Sequence, residues 1–384
     1  MTTVHTWTQA RNVLCVRLDN MGDVLMSTPA IRALKTSVPG RRITLLASDS
    51  GAALAPYLPE VDDTLVYNAA WVKNGGGYPG DGRAMVAELH ERGFDAAVIF
   101  TVYSQSALPA ALMCHFAGIP LALAHSRENP YHLLSHWVKE IEPAQLIRHE
   151  VQRQLDLVAT VGAACSDVGL SLATRGSDRR SLQAILRDLQ VAPDGQWIVV
   201  HCGASAASRC YSPERYARVI SQLADSGCQV LLTGSAQEKP LIESVIRQCT
   251  ARKHVFDLTG KLGLGEFACL IEDARLLISN NTGPVHIAAA VQTAVVDLYA
   301  LTNLQHTPWN VPHRLLYHDV PCKNCYSSVC TQGTNACLEG VDPQAVVDAA
   351  LEMLSPNENG PACLDSFNRQ ESVRARPAIQ LGKP

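Results

Sequence analysis

Residues 13–35 read VLCVRLDNMGDVLMSTPAIRALK, and this stretch decides the fold class. Its first six residues form a near-continuous apolar run, the pattern of a parallel strand buried on both faces. A polar loop, residues 19–23, follows, in which Gly22 permits a tight turn and Asp23 stands at the start of a helix. Residues 24–37 have helical spacing, with Pro29 close enough to the helix start to be tolerated. Strand, short loop and helix make the first unit of a doubly wound α/β layer.

The same rhythm extends outward. Strands are expected over 42–47, 64–67 and 95–100, with a short helix to about 58, a glycine-rich loop over 75–82 and a helix over 83–92. Residues 108–124 are apolar enough to suggest a membrane span, but His115 and Pro120 interrupt them, and a helix followed by a buried strand is expected instead. Residues 127–142 read as an irregular excursion or short helices, 150–161 as a helix, and 165–180 as a linker, with a helix running on to about 189. The alternation restarts at 197–201 (WIVVH), with further strands at 229–233, 255–258, 276–279 and 294–298 and helices at 213–225, 237–249, 264–272 and 283–290. The expected organisation is therefore two Rossmann-like doubly wound domains, 1–172 and 173–355, facing a central cleft where ligands bind. A polar tail of little periodicity, 356–384, is expected to be disordered.

Composition narrows the function. The 384 residues carry a formal net charge of -4 and no long block of like charge, which argues against a nucleic-acid partner. The first eleven residues are polar and contain Trp7, so no secretory signal is read, and a cytoplasmic enzyme with room for peripheral contact at the inner membrane is expected. Thirteen cysteines, several set singly among apolar residues (Cys15, Cys202, Cys228, Cys269), suit a reducing compartment. Cys322, Cys325, Cys330 and Cys337 are spaced C-x2-C-x4-C-x6-C, which suits either a structural zinc or iron site or four reduced thiols knitting a long loop.

Four loops carry candidate chemistry, and each has two readings. Asp23 is an N-cap or a carboxylate at the end of the first strand able to accept a proton. In SNNTGPVHIAAA, 279–290, Thr282 and Gly283 turn into a helix with Pro284 at its first position. The backbone amides there suit a phosphate, and His286 either helps or is a satisfied core histidine. In HCGASAASRCYSPERY, 201–216, Arg209 is a solvated arginine or a fork for a leaving diphosphate. Glu238, after the turn TGSAQ, favours a helix dipole or accepts hydrogen bonds from a ribose. The first loop lacks G-x-G-x-x-G, which places a nicotinamide-dependent dehydrogenase last.

Taken in order, RLDNMGDVLMSTPAIRALK, HCGASAASRCYSPERYA, LLTGSAQE, LTGKLGLGEF and ISNNTGPVHIAAA resemble glycosyltransferase family 9, the heptosyltransferases of lipopolysaccharide core assembly, over roughly 13–354. The resemblance implies a GT-B fold and an inverting transfer of a sugar, heptose from ADP-heptose, to a hydroxyl of a lipopolysaccharide core or another glycan or lipid-linked glycan. It implies Asp23 as catalytic base. Arg209 (where the family usually has Lys), Glu238, Asn281 (where Asp is common), Thr282, Gly283 and His286 are implied around the donor, and Tyr211 replaces a frequent Trp. Asp19, Gly22 and Ser205 are secondary candidates. In this scheme Arg209 and the amides near Thr282 stabilise the leaving diphosphate, so catalysis requires no cofactor. The other readings are a GT-B-like nucleotide-sugar epimerase, which needs no acceptor, and a non-catalytic nucleotide-sugar binder.

Overall fold

The computed structural model describes residues 6–72, 80–192 and 197–355. The glycine-rich loop and the polar tail expected from the sequence lie wholly or mostly outside them. The chain forms two six-stranded sheets, parallel throughout. The first holds β1 (Asn12–Arg17), β2 (Arg42–Ala47), β3 (Asp63–Val66), β4 (Ala96–Ile99), β5 (Leu121–Ser126) and β6 (His136–Lys139), in the order β3-β2-β1-β4-β5-β6. The second holds β7 (Trp197–His201), β8 (Gln229–Thr233), β9 (Val255–Asp257), β10 (Leu276–Asn280), β11 (Val295–Leu298) and β12 (His313–Leu316). Its order, β12-β11-β10-β7-β8-β9, repeats that of the first sheet read from the opposite edge.

Helices α1 (Met21–Ser37), α2 (Asp49–Ala52), α3 (Gly82–Arg92), α4 (Leu108–Phe116) and α5 (Glu150–Ala159) accompany the first sheet, and α6 (Gly176–Asp188), α7 (Pro213–Asp225), α8 (Lys239–Gln248), α9 (Leu264–Glu272), α10 (Gly283–Ala290), α11 (Ala336–Glu339) and α12 (Pro343–Leu354) the second. This is the doubly wound architecture the apolar runs predict. The central strands are buried along nearly their whole length, as helices on both faces of a parallel sheet require. The cysteines among them behave as small hydrophobes: Cys15, Cys202 and Cys269 are fully buried and free.

Three expectations are corrected. Residues 136–139 form an edge strand rather than part of an irregular excursion; their exposed, non-alternating side chains gave no period-2 signal. His313–Leu316 is a strand of the second sheet that the sequence reading passed over. Pro29 lies in the interior of α1 and not near its start. The carbonyl of Leu25, deprived of its helical donor by Pro29, accepts the Thr28 hydroxyl at 2.7 Å.

The two halves meet where the N-terminal ends of α1 and α10 approach each other at the C-terminal ends of their sheets. A hydrogen-bonded seam joins them on one side. The Glu150 amide donates to the Gln305 carbonyl, Gln305 Nε2 donates to Glu142 Oε2, and the Trp309 indole donates to the Val168 carbonyl, at 3.0, 3.0 and 2.8 Å. Tyr103 and Tyr326 also touch across the cleft, edge to face, with centroids 5.7 Å apart.

Candidate active site

On the first half, the site is built around Arg17, the last residue of β1, which is fully buried. Its guanidinium serves three carboxylates. Nη1 meets Glu150 Oε1 at 2.8 Å, Nη2 meets Asp23 Oδ1 at 3.2 Å, and Nε lies 3.0 Å from Asp19 Oδ2 outside hydrogen-bonding direction. Burial disfavours the arginine's charge, but these three neighbours outweigh it and raise its pKa. Gln154 Nε2 also donates to Glu150, at 2.6 Å.

One arginine cannot hold three buried acids equally. Burial opposes Glu150's charge, yet Arg17, aided by Arg153, pulls its pKa down to about 2. Asp19 is pushed up to about 6 by burial, against the pull of Arg17 and the hydrogen bond from Gln105. Asp23 is also raised by burial, with Arg17 opposing and Glu150 adding to the rise. Its side chain keeps 14% exposure, so the carboxylate borders the cleft. A buried carboxylate with a raised pKa is a stronger proton acceptor than a free one, which suits a general base. The N-cap of α1 is Asn20 and not Asp23, which is the third helical residue and reaches back so that its Oδ2 accepts the Asn20 amide at 3.2 Å.

On the second half, α10 begins at Gly283 with Thr282 as N-cap, and Thr282 makes no side-chain cap. Its hydroxyl turns back to the Asn280 carbonyl. Among the described residues the amides of Thr282 and Gly283 find no acceptor, and Pro284 has none to offer, so the positive end of this helix is open. Arg209, partly exposed on the turn after β7, makes no ion pair among the described residues; its charge is felt by Asp23, His286, Asp297 and His306. His286 packs against the opposite half: a Cβ on Gly22 would lie 2.6 Å from its Cδ2. Gly22 lies in the first turn of α1 and not in the tight loop turn expected of it; a glycine is needed there because only a bare Cα lets the two helix ends approach this closely. Burial, with His306, His149 and Arg209 adding to it, depresses the His286 pKa well below the usual range, so the ring is neutral.

Glu238 sits on its own turn, with Oε2 accepting the Ser235 amide at 2.7 Å and hydroxyl at 2.9 Å, and its other oxygen overlies Gly203. Ser205 is exposed on the loop between Gly203 and Arg209. Asn281 is buried and spends its amide on Asp297 Oδ2 at 2.8 Å and the His306 carbonyl at 2.9 Å. The structure thus groups Asp19, Gly22, Asp23, Arg209, Thr282, Gly283 and His286 around one cleft, with Asn281 behind the α10 turn and Glu238 farther along the second sheet.

Sequence reasoning missed Arg17, Glu150, Asp297 and His306. Arg17 had a signal: a charge inside a strand otherwise reading as buried on both faces must have partners. Asp297, in β11, is pushed up to about 8 by burial, with Oδ1 unpartnered. It supplies, from a neighbouring strand, a carboxyl beside the position where Asn281 replaces the expected Asp. Buried atoms of His286 and His306, Nδ1 and Nε2 respectively, are also unpartnered, the kind of group a ligand satisfies.

The four clustered cysteines line one cavity of about 30 Å³, but among the described residues no group of three or more His, Cys, Asp or Glu is arranged to hold a metal ion. The expectation of zinc or iron finds no support there. What the loop does is brace the Arg209 turn: the Ser208 amide donates to the Ser328 carbonyl, its hydroxyl to the Ser327 carbonyl, and the Asn335 amide group to the Ala207 carbonyl.

This geometry can be set beside known proteins. Residues 83–335, more than half of the chain, match the family model described as glycosyltransferase family 9 (heptosyltransferase). The chain belongs to that family. It is a glycosyltransferase. Lipopolysaccharide heptosyltransferase 3 of Escherichia coli K12 is 26% identical over 302 residues, 75% of this chain and 81% of that one. A family 9 glycosyltransferase structure from Veillonella parvula superposes with a TM-score of 0.75 at 18% identity, covering 91% of this chain and 99% of the other. The structure of the E. coli ADP-heptose lipopolysaccharide heptosyltransferase II superposes at 0.70 with 22% identity, covering 89% and 98%. The fold is therefore the GT-B arrangement that the motifs imply. No helix among the described residues is long and apolar enough to cross a membrane.

Proposed function

We propose that this glycosyltransferase moves heptose from ADP-heptose to a hydroxyl of a lipopolysaccharide core sugar, with inversion at the anomeric carbon. The observation that carries the reading is the meeting of a raised-pKa carboxylate, Asp23, with the open N-terminus of α10 and Arg209 across one cleft. The chain's similarity to lipopolysaccharide heptosyltransferases, one of them an ADP-heptose enzyme, supports the choice of sugar and nucleotide.

In this reading Asp23 takes the proton of the acceptor hydroxyl as its oxygen attacks the anomeric carbon from one face. The nucleoside diphosphate departs from the other. Negative charge grows on the departing phosphate, and the Thr282 and Gly283 amides with the Arg209 guanidinium stabilise it. Glu238 faces the nucleoside, Ser205 lies on the loop beside the phosphates, and His286, neutral, offers a hydrogen bond rather than a charge. Asn281 acts through Asp297 by fixing the turn. Arg17 and Glu150 are positioning residues that set the orientation and basicity of Asp23. The first domain, 1–172, would hold the acceptor and the second, 173–355, the donor, with the enzyme working in the cytoplasm at the inner membrane face.

The test is calorimetry with ADP, ADP-heptose and UDP- and GDP-sugars on the wild type and Asp23→Ala. ADP-heptose should bind both proteins while transfer is lost in the variant. Preference for UDP- or GDP-sugars would discard the heptose, and binding of no nucleotide would discard the donor assignment. The cysteine cavity we assign a bracing role. Elemental analysis finding one zinc or iron per chain would make it a structural metal site instead.

A further inference from the structure

A cavity of about 290 Å³ opens on the first half between the ends of β1 and β4 and the start of α4. It is at the small end of ligand pockets, which run from about 300 to 1,000 Å³, and so fits one sugar ring better than an extended chain. Asp19 lies in its wall, one side chain away from Asp23 through their shared partner Arg17. Gln105 Nε2 donates to Asp19 Oδ1 at 2.6 Å, which leaves Gln105 Oε1 without a partner among the described residues. Ser104 and Ser106 add hydroxyls to the same rim, and Ile99 and Ala110 give an apolar wall. Trp71, 39% exposed and tilted against Tyr67, offers an indole face at the mouth.

Resting on the transferase reading above, we propose that this cavity seats the acceptor's reacting sugar ring, that Gln105 and Trp71 determine its specificity, and that the ring is uncharged. An indole face takes the C–H surface of a sugar, while an amide oxygen, serine hydroxyls and a carboxylate take its hydroxyls as donors and acceptors. The same carboxylate turns away anions. Asp19 is the charged side chain in the lining, and the Arg17 behind it is shared with Asp23 and Glu150, so this wall presents negative charge. A ring phosphate or carboxylate would meet repulsion there in a partly desolvated site. The diphosphate side of the cleft, with Arg209 and the α10 amides, has the opposite character. The reacting ring and the leaving group are thereby sorted by charge.

The probes are a methyl heptoside and its phosphomonoester, titrated by saturation-transfer NMR with ADP present. The neutral glycoside should bind and the phosphomonoester should bind at least about tenfold more weakly. Trp71→Ala and Gln105→Ala, both at exposed positions, should each weaken the neutral glycoside roughly three- to tenfold, the range for one lost contact or hydrogen bond. Asp19→Asn should bring the two probes to within about threefold of each other. ADP-heptose binding by calorimetry should be unchanged in the Trp71 and Gln105 variants. Equal or tighter binding of the phosphomonoester, binding of neither glycoside, or indifference of the neutral glycoside to both cavity variants overturns the proposal while donor binding stands. Absence of donor binding to the wild type overturns the transferase reading instead.

Discussion

Two helix N-termini face each other across the cleft, and they are finished in opposite ways. The start of α1 is closed by its own chain: Asp23 folds back on the Asn20 amide, and the Ser50 hydroxyl takes the Met21 amide. The start of α10 is left open, with Thr282 turned away from its capping position. A helix end costs stability when its amides are unmet, so an open one beside an arginine with no ion pair among the described residues suits an anion. The closed end carries acid and the open end carries positive potential. Base and leaving-group site are made from the same structural element by one difference in capping.

The comparison is broken most severely by removing the acid. Asp23→Asn keeps the cap geometry and should lower kcat by about 10²–10⁴, with donor affinity within a few-fold of the wild type. A matching loss of donor affinity would show that the acid serves binding instead. On the open side, Arg209→Ala should lower kcat/KM by about 10²–10³, and Arg209→Lys should recover part of it, since charge returns without the fork.

The pH profile sharpens the acid side. Burial pushes Asp19 up to about 6 and raises Asp23 in the same direction, and Arg17 ties the two together. The base must be deprotonated to act, and Asp23 is raised, so kcat/KM should climb with pH through a midpoint above the ordinary aspartate range and then level off, losing about tenfold per unit on the acid side. In Asp23→Asn this limb should disappear from the residual rate.

Closing the gap between the helix ends is a smaller perturbation. Gly22→Ala puts a methyl against His286 and should destabilise the fold by about 1–3 kcal/mol, read by denaturant melts. Adding His286→Ala should recover much of that loss, because the two sites are in contact and will not be additive. The smallest effect is expected at Asp19. Its folded pKa lies above the unfolded value, so its contribution to stability is full below the unfolded pKa and is lost as pH rises through about 6. Asp19→Asn, always neutral, should therefore be more stable than the wild type at pH 8, by on the order of 1 kcal/mol, and not at pH 4.

The sequence shows one side of this comparison better than the other. The open end was legible because its residues are local: strand, Thr-Gly turn, proline at the first helical position, and small residues behind. The acid side was legible as Asp23, with Asp19 and Gly22 as secondary candidates, but not in what couples the acids. The arginine that sets its basicity sits in a run read as apolar, and Glu150 reaches it from 133 residues away along the chain. Such buried pairings leave no periodic trace, because they are decided by how α5 docks on α1. The relation of Asn281 to Asp297 is of the same kind: the substitution is visible in the sequence, and its partner is visible only once β10 and β11 lie side by side. Edge strands β6 and β12 were missed because half-exposed strands lack the continuous apolar run of the interior ones.

The seam of Glu142, Glu150 and Val168 with Gln305 and Trp309 has a mechanical meaning. Parting it would strip several hydrogen bonds at once, whereas Tyr103 and Tyr326 meet by ring contact alone. Hydrogen bonds of fixed direction oppose sliding, so the seam would serve as the fulcrum of any rocking between the halves.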